Sequence, residues 1–430
     1  MSKKIIAVLM AAVLLIGGLA ACGGKGGSSN FSIPEGGYDG SEVTIKFAHT
    51  MGAKLQEVLN YHIGEFNKLY PNITIEHSSY GGWGDIAGLI NSTETIKRAD
   101  GSTETLGLTP DQINDFIAGF YNEGKQFGDG LMYTLPMSKS TEVLYYNKTF
   151  FDEHNLSLPS TWDELEALCG QIKAIDPESI PLGYDSEANW FITMCEQYGS
   201  PYTSASGDHF LFDNEQNRAF VKEFNEWYQK GYLTTQTLYG SYTSGLFVAK
   251  EGTRSYMSIG SSAGATHQRP ALVDGAYPFE VGITTIPQVD ANNKKVISQG
   301  PSLCIFQKDN PQEVIASWLF VKFLTTTVEF QAEFAMASGY VPVLKSVGEN
   351  PVYADFLAHA DGGNYIAALS AKVCLEQEDA YYASPAFNGS STARDEVGAL
   401  MAKCLPLTGD VDGKIADAFE EAIEECEYFQ

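Results

Sequence analysis

The 430-residue sequence sets 27 Lys and Arg against 54 Asp and Glu, a formal charge of −27. That balance argues against a nucleic-acid binder, which needs clustered basic side chains. It also makes a poor surface for direct adsorption to anionic lipid. The length exceeds what one hydrophobic core usually supports, so two lobes are expected.

At the N-terminus Lys3-Lys4, an apolar run from Ile5 to Ile16 and the small residues Leu19-Ala20-Ala21 read as a secretory signal peptide over 1–21. The run is shorter than the roughly 20 residues of a spanning helix, and no later run is long and apolar enough. Cys22, straight after Leu-Ala-Ala, resembles the acylation site of the bacterial lipobox. Gly23–Ser29 supplies a flexible tether within 22–41. Seven cysteines are present, Cys22, Cys169, Cys195, Cys304, Cys374, Cys404 and Cys426. They show no CxxC and no Cys/His metal spacing, so no metal is expected. Export permits disulfides without requiring them in a body this large, and the spacing leaves the pairing open.

Further along, Glu42–Ala48 alternates as a half-buried strand, Leu55 to Leu69 keeps helical spacing, and Ile73–His77 is a second strand. A strand–helix–strand unit of this size predicts a crossover in a parallel sheet. Val143–Tyr146 reads as another strand. Thr161 caps the next helix, with Glu164 closing a capping box. Further helices are expected over 215–230, 311–325, 328–337 and 414–427, giving an α/β class.

Several motifs carry a family resemblance across most of the chain after Cys22. They are Leu135-Pro136 with Ser140–Lys148, Pro159–Leu165, Phe247 through Gly264, Val281–Ile283 to Ile286-Pro287, Ser298–Ser302, and Ser338–Val343. In this order they resemble the extracellular solute-binding proteins of ABC importers, in the cluster that takes carbohydrates and glycerol phosphate. The resemblance implies a two-lobe periplasmic-binding-protein-like fold of type II, closing by a hinge on a ligand. The lobes would span 42–138 with 299–343, and 139–298 with 344–430. It also implies a permease as partner, a lipid-anchored monomer and no cofactor. The stretch 91–105 departs from the pattern: it is polar where relatives carry another strand and helix lining the cleft.

Recognition of a sugar needs aromatic rings against its C–H faces and polar groups around its hydroxyls. Among 5 Trp, 23 Tyr and 24 Phe, position selects Trp83 and Asp85 in a Gly-rich loop, Trp190 after another loop, and Tyr340 in the Gly-Tyr-x-Pro turn. Trp162, Trp227 and Trp318 read as core. Ser140, Thr141 and Glu142 lie where the chain crosses between lobes, Gly300 on the return crossing, and Ser261 and Ser262 in a loop after a strand. Arg394 is the residue a phosphate ligand would call on. Gly260–Gly264 also matches the G-x-S-x-G of hydrolases, but His267 follows too closely to complete such a triad. The expected function is carbohydrate capture; a glycerol-phosphate receptor is the alternative, and an exported serine hydrolase a distant one.

If Cys22 is acylated, Cys22→Ser will release the protein into the medium or leave it unprocessed. Phase partitioning in detergent and immunoblotting of the medium check this; an unchanged membrane-bound protein refutes it.

Overall fold

Alternation of side chains decides the first strand, β1 (Val43–Phe47). Val43, Ile45 and Phe47 point inward, while Thr44 and Lys46 face solvent. The computed structural model describes residues 33–47, 49, 53–77, 87–127, 130–306, 308–358 and 365–428. The helix Ala53–Leu69 follows β1 and leads into β2 (Ile73–His77). The two strands pair in parallel, Val43 against Ile73 and Phe47 against His77, as the crossover reading expects. Phe66 of the intervening helix and Phe47 both meet the ring of Phe320 edge-on, at 5.2 and 5.4 Å. Phe320 comes from Pro311–Thr326, which with Val328–Ser338 completes this hydrophobic centre. The stretch that departs from the family forms a short antiparallel hairpin, β3 (Thr95–Lys97) and β4 (Thr103–Thr105). It is fastened to the same centre by Trp318, whose indole N–H donates to Leu106 O at 2.7 Å.

The chain leaves through β5 (Leu135–Pro136) and enters β6 (Ser140–Asn147), whose first six residues are all buried. Burial on both faces explains why β6 shows an apolar block rather than alternation. Around it lie β7 (Leu182–Tyr184), β8 (Leu233–Thr235), β9 (Met257–Ser261), β10 (Val281–Thr284) and β11 (Val296–Gln299). The short β12 (Ser302–Leu303) pairs with β5, and β13 (Tyr381–Tyr382) borders β11. The sheet order is β13-β11-β6-β9-β7-β8. β10 shares with β11 the edge of β6 that β9 does not occupy: β11 takes the start of β6 and β10 its end.

The helices Trp162–Ile175, Glu187–Tyr198, Glu215–Gln229, Ser390–Cys404 and Val411–Tyr428 cover this sheet and contribute to one large core. Thr161 caps the first of them in the expected box with Glu164. At the centre, Trp190 stacks on Tyr184 at 4.8 Å and meets Phe224 at 4.1 Å. Trp162, Trp227 and Trp318 are buried as the sequence implies. All six cysteines after Cys22 are free thiols. Burial pushes those of Cys374, Cys404 and Cys426 up to about 12, which keeps them unreactive.

Between the two hydrophobic centres the chain crosses repeatedly, and the crossings converge on Lys139. Its backbone pairs with Val341, and its side chain has no solvent exposure. The ammonium donates to Glu123 Oε1 at 2.5 Å, Ser302 Oγ at 2.9 Å and Gly300 O at 3.2 Å. Gly300 has φ +112°, and a Cβ there would sit 2.6 Å from Ser138 O, so only glycine fits.

Trp227 is fully buried and, among the described residues, its indole N–H has no hydrogen-bond partner, so its contribution is packing. Trp227→Ala will therefore lower the unfolding free energy by roughly 3–5 kcal/mol, the range for a core aromatic, measured by urea denaturation.

Candidate functional site

Ligand sites in open α/β sheets lie beyond the carboxyl ends of the strands. Here β7 is parallel to both β8 and β9, while β9 and β11 both run antiparallel to β6. Their carboxyl ends thus share one edge of the sheet, together with the start of β6. A cleft of about 580 Å³ opens at that edge. Asp185 enters it directly after β7, Gln236 after β8, Ser261 at the end of β9, Gln299 at the end of β11 and Glu142 near the start of β6.

The floor is a closed hydrogen-bond network. Ser186 caps the helix Glu187–Tyr198 by accepting from the Asn189 N–H, which aims the Asn189 amide along the cleft floor. Asn189 Nδ2 donates to Glu142 Oε1 at 3.0 Å and to Gln299 Oε1 at 2.8 Å. Its Oδ1 accepts from Gln299 Nε2 at 2.9 Å and from the Arg394 guanidinium. Tyr184 donates its hydroxyl to the second Glu142 oxygen at 2.7 Å. Every polar position of the Asn189 side chain is therefore used. Burial pushes the Glu142 carboxyl up to about 7, against the hydrogen bonds from Tyr184 and Asn189 and the charge of Arg394. Burial also raises Asp185, whose Oδ1 accepts from the Thr243 N–H at 2.6 Å and hydroxyl at 2.7 Å.

Of the residues singled out from sequence, Glu142, Ser261 and Arg394 line this cleft. Others do not. Trp190 is wholly buried in the core, because the segment after the loop is a helix whose sides are almost all covered. Thr141 turns its hydroxyl onto Ile297 O at 2.8 Å, and Ser140 sits in the β6–β11 pairing opposite Gln299. Ser262 is fully buried and its Oγ accepts the Thr141 N–H at 3.2 Å. Gly300 lies against Ser138 and Lys139 at the crossing instead. Tyr340 is half-buried outside the cleft lining described here, although its neighbour Gly339 lies against the Ser262–Ala263 backbone. Trp83, Asp85 and Cys22 lie outside the described residues. No cluster of His, Cys, Asp and Glu fit for a metal occurs among the described residues.

Sequence reasoning missed Asp185, Asn189, Gln236, Tyr242, His267 and Gln299. Asp185, Gln236 and Gln299 sit at or just after strand ends. Strand ends were the available signal; Tyr242, a 63 % exposed ring on the rim, had none. The G-x-S-x-G match is settled by position. Its central serine, Ser262, is the buried one, whereas a nucleophile elbow holds that hydroxyl exposed.

Ionised Glu142 is less stable folded than unfolded, so its contribution to stability falls as pH rises from its ordinary 4.5 to about 7. That window is worth about 3 kcal/mol at 1.36 kcal/mol per unit. In urea titrations at pH 4.5 and 7.5, wild type should lose about that much relative to Glu142→Gln; parallel pH profiles would refute the assignment.

Comparison with known proteins bears on the family and the fold. A protein of Brucella abortus described as a binding protein is 24% identical over 303 residues, covering 68% of each chain. The sn-glycerol-3-phosphate-binding periplasmic protein of Yersinia pestis is 27% identical over 247 residues, 54% of this chain and 53% of that one. The crystal structure of the cyclic alpha-maltosyl-1,6-maltose binding protein of Arthrobacter globiformis superposes with a TM-score of 0.65. It covers 90% of this chain and 99% of that one at 18% identity, and shows the shared two-lobe fold. The model of the bacterial extracellular solute-binding proteins matches residues 63–360, and the chain belongs to that family.

Proposed function

We propose that this chain captures a carbohydrate between its lobes and delivers it to the membrane subunits of an ABC importer, held to the membrane by a lipid on Cys22. The lobes are taken as 42–138 with 299–343, and 139–298 with 344–430. The observation that carries the ligand class is the cleft lining, in which Ser186, Gln236, Ser244 and Ser261 present neutral hydrogen-bonding groups above the Asn189–Gln299 floor. Such groups suit hydroxyls, whose binding requires many modest bonds rather than one strong charge. Tyr242 on the rim offers a ring for a sugar face. The buried Ser262 and the family membership both support binding without turnover.

The glycerol-phosphate reading is favoured by the Yersinia relative and by Arg394 in the cleft. Against it, the guanidinium is engaged with Asn189, and Glu142 and Asp185 stand on the same walls. A phosphate would meet those carboxylates as well as the arginine.

A thermal-shift screen of the protein against mono- and oligosaccharides and glycerol 3-phosphate separates the readings. Saccharide at 100 times its dissociation constant should add about 2.7 kcal/mol, and small-angle scattering with that ligand should show a smaller radius of gyration as the lobes close. Protection by glycerol 3-phosphate alone selects the second reading; chemical conversion of the bound sugar refutes both.

A further inference from the structure

The cleft holds a carboxylate that a neutral sugar does not require. Arg394 is its one Lys or Arg among the described lining residues, against Glu142 and Asp185. The guanidinium faces the floor, where it donates to Asn189 and bears on the Glu142 charge. Among the described residues Asp185 has no Lys or Arg partner in the cleft. Its Oδ1 is clamped by the backbone and hydroxyl of Thr243, itself fully buried. The clamp depends on Gly183, where a Cβ would lie 2.5 Å from that of Thr243. Asp185 Oδ2 accepts no hydrogen bond from the described residues, and it lies 3.0 Å from the place a Cβ would take on Gly260. Glycine at 260, itself a lining residue, therefore keeps that oxygen uncovered at the cleft wall. A fixed carboxylate with one oxygen saturated and one open is a receptor for a single N⁺–H donor.

We propose that the cleft selects saccharides bearing a protonated amine, with Asp185 Oδ2 as acceptor of the ammonium. This rests on the carbohydrate reading above and narrows it. A neutral hydroxyl leaves the half-buried carboxylate uncompensated, whereas an ammonium at hydrogen-bond distance neutralises it in a region partly shielded from water. A phosphate is disfavoured by the same charge.

Titration calorimetry of the full chain with matched pairs tests this. The pairs are glucosamine against N-acetylglucosamine, and the β-1,4-linked trimers of each, with maltotriose and glycerol 3-phosphate alongside. The amine member of a pair should bind about tenfold more tightly at pH 7, a step of 1.4 kcal/mol. Asp185→Asn should bring that ratio to about one. Should the variant fail to fold, wild type still decides: amine binding should weaken several-fold between about 0.05 and 0.5 M NaCl through screening, and neutral sugar binding should not. Tighter binding of the acetylated members or of maltotriose overturns the amine assignment and leaves the carbohydrate reading standing. Binding of glycerol 3-phosphate alone, or of none of these saccharides, overturns both.

Discussion

Everything between the two hydrophobic centres is organised around one buried cation. Lys139 has no exposed surface, and taking an ammonium out of water is costly unless its donors are all answered. They are answered from separate parts of the chain: the Glu123 carboxylate, the Gly300 carbonyl and the Ser302 hydroxyl. Burial lowers the Lys139 pKa and the Glu123 charge raises it back, burial being the larger effect. The strand following β5, the return from β11 and the turn at Val341 must therefore come together in one arrangement. Removing Glu123 would leave an isolated charge at the place where the chain passes from one centre to the other.

Three residues later β6 carries the opposite problem. Glu142 is buried in the floor of the cleft and is served by Tyr184 and Asn189. Its network reaches Gln299 and Arg394 through the single amide of Asn189. Lys139, just before β6, and Glu142, within it, thus divide two duties, one fixing how the chain crosses and one shaping the cleft floor. Because the floor's groups hydrogen-bond to one another, their orientations are fixed on that side of the cleft.

Much of this was legible in the sequence where one face of an element meets water. β1, the helix Ala53–Leu69 and the helix Glu215–Gln229 all show the contrast that periodicity detects. The helix Glu187–Tyr198 did not, because nine of its residues are buried and no polar stripe remains. Position just after a loop points to Trp190 as a ligand contact, whereas the cleft lining takes Asn189, one residue before it. Thr141 and Ser262 were misjudged for a related reason. A hydroxyl near a crossing looks the same in sequence whether it meets a ligand or a backbone group across the sheet, and here both meet backbone.

The reciprocal amide pair of Asn189 and Gln299 has a kinetic side. Gln299 immediately precedes Gly300, whose left-handed backbone packs against Ser138 and Lys139 at the crossing. The floor and the crossing are thereby tied into one hydrogen-bonded unit. On the proposed function a solute would settle on a ledge built by one lobe alone, so its arrival would depend on these residues and its dwell time on those of the other lobe, and the two rates would be governed by different residues.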